Sequence, residues 1–485
     1  MTGKRSAKSH RVILHVPAVL LCALTLWLPL PFASVTPAGH AVLQIAAFLI
    51  LALTVLTSAH RSGWLAGAAP TAALVALSAL AFAQAGSWPA AVVEAISPEH
   101  ARLQRQARVS TPAVSREAER MALSLAPAET NAAALTMLAL AATLLAAAAL
   151  ARDNRVRRVL AFTVAAAALV ELLYGGSQWM SNSNAIWGIA VPFDSSRLRG
   201  TFVNPDHLAV YLELVLATVF AWGWWAARRA RRAKFHERAV IAAVVPILLW
   251  PALFAGLAFT GSRAGLVAAL AGVIVQGLLL LTSSRRLKWG VPGLLAPAAG
   301  FLVIAALGIQ QGLGRWLATS RYDLTWDGRL KLYATSLRLW QRFPWTGIGL
   351  GSFREGFPLA ATRAFTDQYW HAHSDYLEVL VTTGVVGAGI LLIGLLAAGH
   401  RLFHVLRHGV HSEDRAAALA AFGALAALSV HSAFDFGLTL PANSATLAII
   451  VGAALAAPTM DDNLHRVGQK DPSRAVAMDL SPGGD

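Results

Sequence analysis

The chain has 485 residues, 56% of them hydrophobic and 13% charged, with a mean hydropathy of +0.56. A soluble globule carries about 25% charged residues, so this composition excludes one and indicates an all-α polytopic membrane protein. The net charge of +15 would suggest nucleic acid in a soluble domain, but in a membrane protein it is first read as basic residues held on the cytoplasmic side. The single cysteine, Cys22, lies in an apolar segment and excludes a disulfide framework or a thiolate metal site.

Lys4, Arg5, Lys8 and Arg11 precede an apolar run from Val12 to Phe32. The run is long for a signal peptide and no small-residue cleavage site follows, so it reads as a retained first span. Further spans are expected at 39–57, 65–85, 131–151, 159–174, 207–227, 239–259, 266–282, 290–308, 376–399, 416–433 and 445–457, about twelve transmembrane helices in all. The connecting segments test this. Arg61, the cluster Arg152 to Arg158, the cluster Arg228 to Arg238, Arg285 to Lys288, and Arg401, Arg407 and Arg415 fall on one side. That side is the cytoplasm, with both termini in it. The basic excess is thus mostly a topology signal, and no nucleic-acid partner is expected.

The resulting division is 1–85 for helices 1–3, 86–130 for an extracytoplasmic helical loop, and 131–308 for helices 4–9. A large periplasmic loop, 309–375, then lies between helices 9 and 10; 376–457 holds helices 10–12, and 458–485 is a cytoplasmic tail expected to be disordered. In the first loop Arg102, Arg105, Arg108, Arg116 and Arg120 interleave with Glu94, Glu99, Glu117, Glu119 and Glu129, as in solvated helices, and no chemistry is assigned to it. The second loop contains Gly328-Arg329-Leu330-Lys331-Leu332-Tyr333, with apolar residues at 330, 333, 337 and 340. This predicts an amphipathic helix on the membrane surface. It ends at Phe343-Pro344, and Gly347, Gly349 and Gly351 permit tight turns; no strand-turn-helix context makes them a nucleotide motif.

That loop runs through Trp370-His371-Ala372-His373-Ser374-Asp375-Tyr376-Leu377-Glu378 into an apolar helix. Asp375 with Glu378 three residues on reads as an N-cap box, which places His373 just outside a helix N-terminus. Unpaired N–H groups there favour anions and lower a histidine's proton affinity, leaving a neutral imidazole able to accept a proton. His371 and His373 would face the same way only on an extended segment, and no third ligand follows from the spacing, so no metal is expected.

Short outer loops should be poor in arginine, and those at 33–38, 175–206, 260–265 and 434–444 hold only Arg197, Arg199 and Arg263. Arg263, in Thr260-Gly261-Ser262-Arg263-Ala264-Gly265, would begin a helix whose positive end repels it, and a bound anion is a natural compensation. Arg197 and Arg199 precede Asn204-Pro205, a cap and first helical residue. The bland alternative for each is snorkelling to lipid phosphates. Guanidiniums that bind phosphate bidentately, beside a histidine that can take a proton, suit a diphosphate leaving group and a hydroxyl nucleophile.

Four runs occur in order: Arg199-Gly200-Thr201-Phe202-Val203-Asn204-Pro205-Asp206-His207, Gly261-Ser262-Arg263-Ala264-Gly265, Pro344-Trp345-Thr346-Gly347-Ile348-Gly349, and His371-Ala372-His373-Ser374-Asp375. Over roughly 195–395 the chain resembles the O-antigen ligase and polymerase family of bacterial envelope glycosyltransferases. The resemblance implies an inverting, metal-independent enzyme without a cofactor in the bacterial inner membrane. It would transfer a glycan from undecaprenyl diphosphate to an acceptor hydroxyl on lipid A core or another glycan, at the periplasmic face. By motif, Arg199 and Arg263 would hold the diphosphate and His373 would act on the acceptor, with Arg197, Arg329, His371, Ser374 and Asp375 as weaker candidates. Asp206 and Ser374 stand where the family commonly has asparagine, which loosens the expected orientation of His373. The motifs leave ligase and repeat-unit polymerase open, with a slight lean to ligase. A transporter of a small anion or lipid-linked sugar would also need arginines and about twelve spans. Against it, no two-fold repeat is evident and the polar residues cluster on the outer face. A scaffold for envelope assembly would make Arg199, Arg263 and His373 dispensable.

Overall fold

The computed structural model describes residues 16–58, 64–110, 120–192, 196–233, 237–283, 326–361 and 369–460. In chain order its helices are α1 (Val16–Trp27), α2 (Pro37–Ser58), α3 (Ala68–Ala85), α4 (Ala90–Ile96), α5 (Pro98–Ser110), α6 (Pro127–Leu150), α7 (Asn154–Met180) and α8 (Pro205–Arg232). There follow α9 (Glu237–Phe259), α10 (Arg263–Ser283), α11 (Trp326–Arg342), α12 (Phe353–Gly356), α13 (Asp375–His408), α14 (Ser412–His431) and α15 (Pro441–Leu455). Among the described residues eight of these are long and apolar enough to cross a membrane: α2, α3, α6, α7, α8, α9, α10 and α13. α1 and α15 are shorter apolar helices, α14 covers most of the span expected at 416–433, and the span expected at 290–308 lies outside the described residues. The first span is shorter than its apolar run because Phe32, Ala33 and Ser34 take positive φ in a turn after Pro31.

α8 is the central helix. The Asn204 side chain accepts the Asp206 N–H, Pro205 occupies the first turn, and Arg229, Arg231 and Arg232 close the last turn against the helix dipole. In its apolar window 72% of residues are buried, against 28% in the peripheral α2. It packs on α7, α9, α10, α14 and α15, while α6 gathers α2, α3 and α15. Close approach of α10 to α14 comes from small residues, since a side chain on Gly272 would meet the Gly423 carbonyl at 2.8 Å. Beside it Gln276 donates to the carbonyls of Ala217 (2.8 Å) and Leu419 (3.0 Å), joining α10, α8 and α14.

α13 is broken at Gly384, whose φ of +64° is outside the helical region. The backbone groups freed by the break are taken up by the Pro344–Gly349 turn. Val385 N–H donates to Pro344 O (2.9 Å), Ile348 N–H to Val381 O (3.0 Å) and Gly349 N–H to Thr382 O (3.0 Å). A Cβ on Gly384 would fall 2.2 Å from the Trp345 carbonyl oxygen, so this close approach requires glycine.

The predicted amphipathic helix is α11, but the stripe differs from the expected one. Leu332 and Leu339 are buried with Thr335 and Ser336, whereas Leu330 and Leu337 stay exposed. The reason is packing: Leu332, Leu339, Phe343, Ile348 and Val381 form one core, so the helix turns its 332/339 face toward α13. The segment expected to be extracytoplasmic, 86–130, is more than a solvated loop. Trp88–Pro89 pairs with Arg120–Met121 around a small core of Val93, Ala101, Met121 and Leu123. Leu125 N–H then donates to Ile348 O (2.9 Å) and His100 lies edge-on to Phe343 (4.4 Å), so both outer segments form one layer.

Candidate active site

Three pieces of backbone meet where α8 and α10 begin and α14 ends. In the loop before α8, Thr201 N–H donates to buried Glu171 (2.8 Å) and Gly200 has φ +60°. Arg197 leaves that loop with Nε on Thr260 O (2.6 Å) and Nη2 on Asp206 Oδ1 (2.7 Å). The hairpin before α10 turns at Gly261, with φ +66°, and makes Arg263 the first residue of α10, as expected. After α14 the His431 carbonyl accepts the N–H groups of Phe434 (2.8 Å) and Asp435 (3.1 Å), closing a tight turn.

These pieces enclose a cavity of about 310 Å³. Arg197, Arg263 and Arg329 line it, with Asp206, His431, Phe434 and Asp435. Arg329 Nη1 donates to Phe434 O (3.1 Å), while its buried Nε has no hydrogen-bond partner. Arg199 is not among the lining residues; its side chain is buried, with Nη2 on Ser183 O (3.3 Å). The weaker candidates Arg197 and Arg329 are thus the ones brought to the cavity beside Arg263.

His373 adjoins this wall through Asp435, whose Oδ1 lies 3.4 Å from His373 Nδ1 and whose Oδ2 lies 3.7 Å from His207 Nε2. Phe436 organises the three histidines around its ring. His371 stacks on it (4.1 Å, 17°), and His373 (4.9 Å, 86°) and His207 (4.7 Å, 74°) meet it edge-on. His373 holds a positive φ of 49°, a conformation a non-glycine residue keeps only when its surroundings impose it. The Tyr333 hydroxyl lies 2.9 Å from its carbonyl, tying it to α11.

The helix start differs from the expected cap box. Ser374 is the N-cap residue, but its hydroxyl donates to Ser432 O (3.0 Å), and Asp375 is already helical. The Asp375 carboxylate accepts Ser432 Oγ–H (2.8 Å) and its N–H points at Ser432 O (2.9 Å). Glu378 instead receives the Ala372 N–H (3.0 Å) and holds His371 Nδ1 at 2.7 Å. Of the acids expected to cap the helix, Asp375 therefore fastens the helix start to the turn after α14, and Glu378 fastens the histidine segment to α13. Burial opposes the His371 cation, yet Glu378, with help from Asp435 and Asp375, raises its proton affinity above the ordinary imidazole value. Burial likewise opposes the Asp435 charge, but His207, His373 and His431 outweigh it and hold the carboxyl below the usual carboxylate range.

Asp435, Phe436, His207 and His431 were not among the residues expected from the sequence. The signal was present in His431-Ser432-Ala433-Phe434-Asp435-Phe436-Gly437, where an acid sits between two phenylalanines in a short loop expected on the outer face. Counting only arginines in such loops passes over it.

Residues 247–392 match the family model described as O-Antigen ligase. Over this segment the chain is similar to the O-antigen ligases. The matched segment includes Arg263, Arg329, His371, His373 and the break at Gly384. Members of this family are glycosyltransferase-like ligases and polymerases, which supports that type of function, a lipid-linked glycan substrate with a glycan acceptor, and a multi-pass inner-membrane location. No curated protein matches the chain significantly.

Proposed function

We propose that the chain transfers a glycan from undecaprenyl diphosphate to an acceptor sugar hydroxyl at the periplasmic face, with lipid A core as the acceptor class. The observation that carries this reading is one cavity lined by Arg197, Arg263 and Arg329, with Asp435 in its wall and His373 held on that carboxylate. With Nδ1 turned to Asp435, His373 Nε2 takes the acceptor proton as the hydroxyl oxygen attacks the anomeric carbon. The anomeric C–O bond breaks on the opposite face, its electron pair leaves on the diphosphate, and the configuration inverts. Guanidiniums stabilise the charge that develops there, which is the largest contribution this arrangement offers. Arg263 is the central contact, Arg197 and Arg329 flank it, and Arg199 is assigned to the diphosphate by motif alone. The donor's own diphosphate bond drives the transfer, so the reading requires no nucleotide, cofactor or metal.

Transfer in proteoliposomes tests this, with purified protein, an undecaprenyl diphosphate oligosaccharide and EDTA. Lipid A core and a second donor molecule are the two acceptors offered. Product on lipid A core supports a ligase, and product on the second donor makes the enzyme a repeat-unit polymerase. Loss in His373→Ala and Arg263→Ala supports the site; wild-type rates in both overturn it. The pair Arg197→Ala and Arg199→Ala separates the cavity-lining arginine from the buried one.

A further inference from the structure

Glu213 of α8 and His431 at the end of α14 form a buried pair, Oε1 to Nδ1 2.6 Å, with side chains 0% and 1% exposed. Neither residue belongs to the histidine segment, yet His431 lines the same cavity as Arg263. The other imidazole nitrogen, Nε2, is buried without a hydrogen-bond partner, and so is Glu213 Oε2. Packing has made room for this pair, since a Cβ on Gly265 of α10 would stand 3.1 Å from Glu213 Oε1. Ionisable groups buried between membrane helices are costly unless paired, and they mark functional sites. His431 is itself a wall residue of the cavity, so its unpartnered nitrogen has a ligand space close by, which a pair serving only to join α8 to α14 would not need.

We propose that His431 is a further anion-binding residue of the cavity: an imidazolium fixed and charge-compensated by Glu213, presenting Nε2–H to the diphosphate beside Arg263. This rests on the reading of the cavity as a diphosphate site. Glu213 is the positioning residue. It accepts from Nδ1, which sets the ring orientation, and its charge offsets that of an imidazolium buried beside it. Asp206 and Asp435 also face His431, from the start of α8 and from the turn, while Arg197, Arg263 and Arg329 stand across the cavity. Those carboxylates favour the cation and those guanidiniums oppose it. Glu213 is the only one of these groups bonded to the ring, so its charge decides between them.

Binding of inorganic diphosphate to the full chain in nanodiscs, measured from pH 6 to 9, tests the proposal. The variants are Glu213→Gln, His431→Gln, their double mutant and Arg263→Ala, each checked for an unchanged melting temperature. Glu213→Gln keeps an acceptor for Nδ1 but removes the charge. It is expected to bind near wild-type levels at pH 6 and about tenfold more weakly at pH 8.5, the size of one charge-assisted hydrogen bond. His431→Gln should be about tenfold weaker throughout, and adding Glu213→Gln to it should cost nothing further. If Arg263→Ala weakens binding while Glu213→Gln follows wild type at every pH, the pair is only structural and this proposal fails alone. If wild type binds no diphosphate, or Arg263→Ala binds as well as wild type, the cavity reading fails and takes this inference with it. Should Glu213→Gln not fold, Glu213→Asp takes its place: it retains the charge, so it should restore pH-independent binding, and a pH-dependent loss there would overturn the proposal.

Discussion

Two sets of buried charges lie at opposite ends of α14, and they are built differently. Where α7 begins and α14 begins, Arg157 Nη2 meets Asp414 Oδ1 at 2.5 Å and Asn154 Oδ1 at 2.6 Å, with Arg157 and Asp414 side chains 5% and 0% exposed. Asp414 also accepts the His411 N–H (2.7 Å), so one carboxylate joins a helix start to its neighbour, and the pair lines no part of the cavity at the other end, although Arg157 Nε and Nη1 stay buried without hydrogen-bond partners. Where α14 ends, the charges surround a space. Three guanidiniums face two carboxylates across the cavity; Asp435 is shared by His207 and His373, and Asp206 remains 29% exposed. An ion pair that fills its own volume holds helices together, whereas one that borders a cavity with cations in excess is arranged to receive an anion.

The comparison predicts opposite phenotypes at the two ends. At the cavity end, Arg263→Ala and His373→Ala are expected to lower the transfer rate by about 10²- to 10³-fold, the scale of losing an electrostatic donor or a general base. Melting temperatures in detergent should barely change. Asp435→Asn removes the charge that orients His373 and should cost about tenfold or more. Arg263→Lys should also be about tenfold slow, because an ammonium lacks the planar fork; a wild-type rate in that variant would show that Arg263 contributes only charge.

At the other end the effect moves to stability. Asp414→Ala leaves Arg157 buried and uncompensated, so about 3–5 kcal/mol of stability should be lost. Transfer per folded molecule should stay at the wild-type value. Thermal unfolding and the proteoliposome assay on one preparation separate these outcomes, and a fall in transfer per folded molecule would break the distinction between the two ends. A comparable loss, about 3 kcal/mol or more, is expected for Gly384→Ala, which adds a clash with the Trp345 backbone to the strain of a side chain at φ +64°.

Local chemistry was legible in the sequence and long-range pairing was not. The Asn204-Pro205 helix start, the turns at Gly347 and Gly349 and the placement of Arg263 at a helix beginning follow from rules that act within a few residues. The face of α11 could not be read that way, since Leu330 and Leu332 are both apolar and only the docking of α11 on α13 selects 332. The same limit applies to Asp375 and Glu378. Their spacing fits a cap box, but Ser432 and His371, brought in by folding, are better partners than the local N–H groups. Asp435 lies 62 residues from His373, so nothing local to either could announce the pair. The arginines illustrate the intermediate case: their loops were identified by charge, while the choice of Arg197 over Arg199 as the cavity-lining residue goes with partners brought in by folding, Thr260 and Asp206 for Arg197 and Ser183 for Arg199.

The smallest expected effect lies in the outer layer, where ion pairs have neither a cavity nor deep burial. Glu99 accepts from Arg102 at 2.7 Å on its own helix and from Arg342 of α11, so it fastens the first outer segment to the second. The Arg102 hydrogen bond, then Arg342, outweigh desolvation and hold the Glu99 carboxyl at about 2 instead of 4.5. Because the folded value is the depressed one, this stabilisation is complete above the unfolded value near 4.5 and disappears as the pH falls toward 2. The group keeps 20% of its side chain exposed and both arginines are more exposed, so solvent screening limits the contribution to about 1 kcal/mol or less. Protection of the α4–α5 amides in hydrogen exchange should therefore be flat from pH 7 to 5 and fall below pH 4.5 in wild type. In Glu99→Gln the same amides should begin at the lower level and show no such fall. Transfer at neutral pH should be unaffected, because the layer is also held by the Leu125–Ile348 backbone bond and by His100 against Phe343. A loss of transfer in Glu99→Gln would mean instead that the first outer segment helps to position the histidine loop, and that the charges relevant to function extend beyond the cavity wall.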